Sequence, residues 1–103
     1  MRKYEVLTTN NNCTWEDVYN PIESLLSDAF AAWTDKEAFF ETEADDFLLE
    51  FVMDYWDGDE NLGQHIQTGN CVFPYTDENW NSFKGYFNAA MDDIRKEYEA
   101  EQQ

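Results

Sequence analysis

The sequence predicts a mainly α-helical single domain: a small bundle of three to five helices, with room for a minor two-stranded β element. Three observations predict it. Apolar residues recur at helical spacing in two long stretches, and capping residues stand in front of them. A chain of 103 residues that is 43% apolar and 17% aromatic also has the material for one core, despite its charge. Neither an internal repeat nor a linker divides residues 1–103.

Residues 3–9 favour an extended conformation through β-branched Val6, Thr8 and Thr9, and Asn10-Asn11-Asn12 then turns the chain. Thr14 is placed to cap a helix whose first turn holds Glu16 and Asp17, and Pro21 suits the first position of a second or continued helix. Ile22, Leu25, Leu26, Ala29, Phe30 and Trp33 then repeat at spacings that share one helix face. Thr34-Asp35-Lys36-Glu37 reads as a capping box before Ala38, Phe39 and Phe40. Thr42 opens a further expected helix, running to about Trp56 and ending at Gly58. Residues 58–75 hold three of the four glycines and a proline, and read as the longest irregular stretch. Within it Cys71-Val72-Phe73 suits a short strand, so residues 70–74 are expected to pair with 3–9. Thr76 caps the last helix, with Asp77 and Glu78 at its positive end. Trp80, Phe83, Phe87, Met91, Ile94 and Tyr98 form its apolar stripe. Phe30, Trp33, Phe47, Phe51, Trp80, Phe83, Phe87 and Ile94 are the expected core. Trp15, Tyr19, Tyr55, Trp56 and Tyr75 are candidates for partial exposure.

The charge is the unusual feature. Twenty-three Asp and Glu face six Lys and Arg, a formal net charge of −17. Solubility asks for about 2–8 charges on a small domain, and self-repulsion beyond that opposes compaction. The excess therefore points to a function or to adaptation to high salt. It disfavours nucleic acid and anionic membranes as partners and favours basic proteins. No Lys or Arg lies between Lys36 and Lys84, and residues 37–78 carry twelve acids. On a helix from Thr42 to Asp57, Glu43, Asp46, Glu50, Asp54 and Asp57 would fall within an arc of about 80°. Such a ridge, its neighbours about 5–6 Å apart, would resemble the repeating charge of a nucleic-acid backbone.

Catalysis finds little support, and the protein is not expected to be an enzyme. His65 is the one histidine, and neither a GxSxG nor a P-loop pattern occurs. Carboxylates are too many for any pair to stand out as an acid–base couple. The stretch from Asp57 places oxygen ligands at calcium-loop positions 1, 3 and 5. Leu62 and Thr68 then stand where an EF-hand needs Gly and Glu, so neither a metal nor a cofactor is expected. Cys13 and Cys71 form no CxxC pair. Reduced thiols are the default reading, with a disulfide between the two left open. The N-terminal residues lack the apolar core of a secretory signal, no run is long and apolar enough to span a membrane, and the expected location is cytoplasmic.

Small size, extreme acidity, abundant aromatics and a helical carboxylate ridge together resemble the phage-type DNA-mimic inhibitors, such as anti-restriction and anti-CRISPR proteins. The resemblance is one of composition, covers the whole chain and rests on no family motif. It implies a protein that occludes the nucleic-acid-binding site of a host defence enzyme, in the host cytoplasm if phage-encoded. Glu43, Asp46, Glu50, Asp54, Asp57, Asp59 and Glu60 would replace phosphates against the partner's Lys and Arg. The same features resemble small acidic immunity proteins, which neutralise basic nuclease toxins. A salt-adapted acidic adaptor domain is the alternative from another class, and its acids should cover every face.

Overall fold

A computed structural model of the chain describes residues 15–57, 60–69 and 71–102; at 55–57 and 60–62 it describes the backbone alone. The expected strand at 3–9, the turn after it and the Thr14 cap lie outside these residues. The described part is mostly helical and carries a three-stranded antiparallel sheet.

A 3-10 turn, Trp15–Val18, leads into helix α1, Tyr19–Ala32. Pro21 sits in the first turn of α1, where its missing N–H leaves no hydrogen bond unmade. Ile22 and Leu26 are buried, and Leu25, Ala29 and Phe30 are half-buried, as their spacing predicts. The apolar face fades at Trp33, which lies beyond the helix and is 37% exposed, although its ring still meets Phe39 and Phe47. The Lys36 ammonium donates to the Phe30 and Ala31 carbonyls and lies over the Phe30 ring. The Phe30 carbonyl also accepts from the Trp33 amide at 3.1 Å, so the ammonium joins a backbone cap already in place at this helix end. The short helix α2, Lys36–Phe39, is capped by Asp35, which accepts from the Ala38 amide at 3.2 Å, one residue later than the expected Thr34 cap.

The expected helix from Thr42 to Trp56 is replaced by three different pieces. They are a 3-10 turn at Ala44–Phe47, a single helical turn α3 at Leu48–Phe51, and strand β1 at Val52–Asp57. The turn's cap is Glu43 and not Thr42. Strand β2, Glu60–Thr68, pairs antiparallel with β1, and β3, Cys71–Pro74, pairs antiparallel with β2. Residues 58–75 are thus largely strand, and the described partner of 71–74 is β2. The β-forming residues Val52, Tyr55 and Trp56 suit strand β1, which runs to Asp57. An apolar run of that length reads equally as a buried helix until its pairing partner is known.

The register places Val52 opposite Ile66 and Ile66 opposite Phe73, so one apolar row crosses the sheet and faces the helices. The β1–β2 pairing skips Leu62 beside Gly63, whose φ of +85° suits glycine at a bulge. Gly69 turns β2 into β3 at φ +63°, and a Cβ there would stand 3.0 Å from the Pro21 ring. A side chain there would press on the Pro21 ring as well as strain the left-handed backbone.

Helix α4, Asp77–Glu101, begins at Thr76, whose hydroxyl accepts from the Asn79 amide at 3.1 Å. The Asn79 side chain donates to the Pro74 carbonyl at 2.9 Å and fastens the helix start to β3. Trp80, Phe83, Phe87, Met91 and Ile94 are buried along one stripe, with Tyr98 half-buried. Phe83 meets Phe51, Trp80 and Phe87 at ring-centroid distances of 4.8, 5.0 and 6.1 Å. Trp15 stacks on Phe73 at 4.0 Å and neighbours Tyr86 at 6.4 Å, joining the first turn, β3 and α4. Contacts of Trp15 with Tyr86, Tyr19 with Asp93 and Phe30 with Tyr98 advance together along both helices. Helices α1 and α4 thus run in the same direction. No helix among the described residues is long and apolar enough to cross a membrane.

Candidate functional site

The carboxylates expected at the partner contact lie on a winding path and not on one helical ridge. Glu43 caps the turn at Ala44–Phe47, and Asp46 reaches back within it to accept from the Glu43 amide at 2.6 Å. Asp46 thus holds this turn closed as well as carrying charge. Glu50 stands on α3 and Asp54 on β1, opposite Gln64. All four are exposed. The β1–β2 register sets Asp57 opposite Glu60 in backbone terms, and Asp59 lies outside the described residues.

The helical ridge is therefore corrected. A spacing of three or four residues gathers side chains on a helix, but along a strand it spreads the positions and changes their face. Asp54 and Asp57 are one turn apart on a helix and about 10 Å apart along a strand. The stretch Glu43–Asp54 still exposes its acids at Glu43, Asp46, Glu50 and Asp54, carried by a 3-10 turn, a helical turn and a strand in place of one helix face.

Four of the six cations lie among the described residues. Lys36 serves the end of α1, and Arg95 lies over the Phe40 ring at 5.3 Å. Lys96 pairs with Asp92 at 3.2 Å, four residues away on exposed helix. Lys84 lines a shallow cleft with Glu43 and Asp45. Meanwhile exposed acids stand on every helix: Asp28 on α1, Glu37 on α2, Glu50 on α3, and Asp92, Asp93, Glu97, Glu99 and Glu101 on α4. The Tyr19 hydroxyl donates to Asp93. That bond, then burial, then the charges of Asp93, Glu23 and Glu97 push its pKa up to about 12.

No group of three or more His, Cys, Asp or Glu among the described residues is arranged to hold a metal ion. Of the stretch with calcium-loop spacing, Asp57 ends β1 and Glu60–Thr68 form β2, while Gly58 and Asp59 lie outside the described residues. His65 is buried on β2, with Nδ1 3.2 Å from the Gly63 carbonyl oxygen. Cys71 is disulfide-bonded, which overturns the default reading of two reduced thiols. The chain's other cysteine, Cys13, lies outside the described residues. Distance in sequence gave no hint of the bond, because disulfide pairing follows distance in space.

Sequence reasoning missed Leu49. On a continuous helix it would have joined the buried circumference; on the single turn of α3 it is 88% exposed. The pair Leu48-Leu49 was the available signal, because one short turn cannot bury both neighbours in the same direction. Next to Leu49 in the chain, Glu50, Phe51 and Met53 line an open groove of about 360 Å³ with Pro21, Leu25, Gln67 and Gly69. Comparison of the chain with protein-family models, with curated proteins and with solved structures found no match.

Proposed function

We propose that this protein is a DNA-mimic inhibitor that occludes the nucleic-acid-binding site of a host defence enzyme, of the restriction or CRISPR kind. The charge excess carries this reading. Six Lys and Arg cannot neutralise 23 acids, so 17 carboxylates stay unmatched however the cations are placed. Exposed carboxylates at Glu43, Asp46, Glu50 and Asp54 offer a basic groove what phosphates offer it, and their docking would release bound counterions. The protein would act in the host cytoplasm by occupying the site, with no chemistry or cofactor of its own.

The test is retention of partners from bacterial lysate on the immobilised protein, washed in rising salt. One nucleic-acid enzyme, displaced by added duplex DNA, is the expected result. A scatter of basic proteins leaving together at moderate salt would count against it. Replacing Glu50 and Asp54 together by Lys should weaken the captured complex on the order of a hundredfold. Unchanged affinity would remove that stretch from the contact.

The spread of exposed acids over every helix favours a second reading, a domain adapted to high salt. That reading requires stability to climb steeply with salt as self-repulsion is screened. Melting temperatures in low and molar potassium chloride separate the two. A domain fully folded at low salt favours the inhibitor, and one that folds only in concentrated salt favours adaptation.

A further inference from the structure

We propose that the outer edge of strand β1 takes up an extended, Lys- or Arg-bearing segment of the partner as a fourth strand of the sheet. The inference rests on the partner being basic and adds how it is held. Among the described residues, β1 has β2 on one side and no strand on the other. Hydrogen bonds elsewhere in the sheet fix which way its backbone points. The Tyr75 amide donates to the Gln64 carbonyl at 3.0 Å, so Gln64 turns its backbone groups toward the β3 side. In an antiparallel ladder both backbone groups of a residue point to the same side. Asp54, opposite Gln64, therefore pairs with it without hydrogen bonds, and its N–H and C=O point away from β2. Val52, two residues earlier, has the same phase: its N–H leaves the sheet for the Leu48 carbonyl. The bulge puts its extra residue in β2, so β1 keeps its alternation and the Trp56 backbone points outward like that of Asp54. Asp54 is exposed, and no backbone group among the described residues bonds its outward N–H or C=O.

The two edges of the sheet differ. By the same alternation Val72 and Pro74 point outward from β3. Val72 is buried, and Pro74 has no N–H to give, so that edge is poorly suited to a further strand. Charge then selects what can add to β1. A second copy would bring its own Asp54 and another −17 to the same edge, and like charges across a strand pair destabilise it. A charged residue at mid-strand is one way an edge resists pairing with its own kind. A Lys or Arg set opposite Asp54 turns that guard into an attraction. Strand addition takes its affinity from main-chain hydrogen bonds and its selectivity from alternate side chains. An extended basic segment supplies both.

The experiment titrates the full chain with a peptide alternating Thr and Lys, and follows amide hydrogen exchange by NMR at about 0.15 M ionic strength. In the free protein Met53 and Tyr55, whose backbones face β2, should exchange slowly, and Asp54 and Trp56 fast. Bound peptide should slow Asp54 and Trp56 by about tenfold or more and leave Met53 and Tyr55 unchanged. Asp54→Asn, which keeps the backbone, should weaken binding. Asp54→Pro, which also removes the outward N–H and spares the β1–β2 ladder, should weaken it about tenfold further. Binding that leaves Asp54 and Trp56 in fast exchange, or equal binding by the two variants, overturns the proposal while leaving the charge-based reading intact. Slow exchange at both amides in the free protein overturns it too, because the edge is then already paired. Failure of the peptide to bind even at low salt overturns both readings. Protection of Met53 and Tyr55 checks that each variant keeps its sheet, and the exchange pattern of the unaltered chain decides the matter without them.

Discussion

Tyr19 carries a proton that the folded protein holds more tightly than the unfolded chain does. Its hydroxyl donates to Asp93, and the neighbouring carboxylates disfavour a phenolate. Because the folded value of about 12 lies above the ordinary value of 10.0, this contribution to stability is complete below pH 10. It is lost as the pH rises from there through about 12. Phenolate absorbance should show one tyrosine titrating late, and Asp93→Asn should bring it back toward the ordinary range. Gly69 makes a steric point at the same scale. Its left-handed φ and its 3.0 Å approach to Pro21 both disfavour a side chain. Gly69→Ala should cost about 1–2 kcal/mol in urea unfolding, more than alanine costs at an open turn.

At the scale of elements, local signals held where one pattern dominated. Thr76 caps α4 and the stripe from Trp80 to Ile94 is buried, because a single 3.6-residue period runs through the whole segment. Thr76→Ala should therefore destabilise the domain by about 1 kcal/mol, read from its thermal midpoint. Ile22 and Leu26 were legible for the same reason. The segment from Thr42 to Trp56 was not, because its apolar residues fit a buried helix as well as a strand. What decides is the pairing of Val52 with Ile66, a partner that no local pattern names. The candidate site inherits this limit. Exposed acids at Glu43, Asp46, Glu50 and Asp54 were legible from charge alone. Their common ridge was not, since it needed a continuous helix, and Leu49 came to the surface when that helix ended after one turn.

At the scale of the whole molecule, charge and cross-linking act against each other. Unmatched carboxylates favour expansion of the chain. The disulfide at Cys71 restrains it. A bridge to Cys13 would close a loop of about 60 residues and stabilise the fold by about 4 kcal/mol on loop entropy. Reduction should then lower the melting temperature sharply, and most of all at low salt, where repulsion is least screened. Such a bond persists in oxidising compartments. Its redox state in the cell, measured by thiol trapping, therefore tests the proposed cytoplasmic location. The parallel course of α1 and α4 governs how fast the fold can be reached. The two helices pack together, yet α2, α3 and the entire sheet lie between them in the chain. Their docking must wait for a long loop to close, unlike the quick meeting of consecutive helices in an up-and-down bundle. A protein that is mostly helix in content should therefore refold at the slower pace of a mixed α/β domain, with its hairpin formed before its two long helices meet.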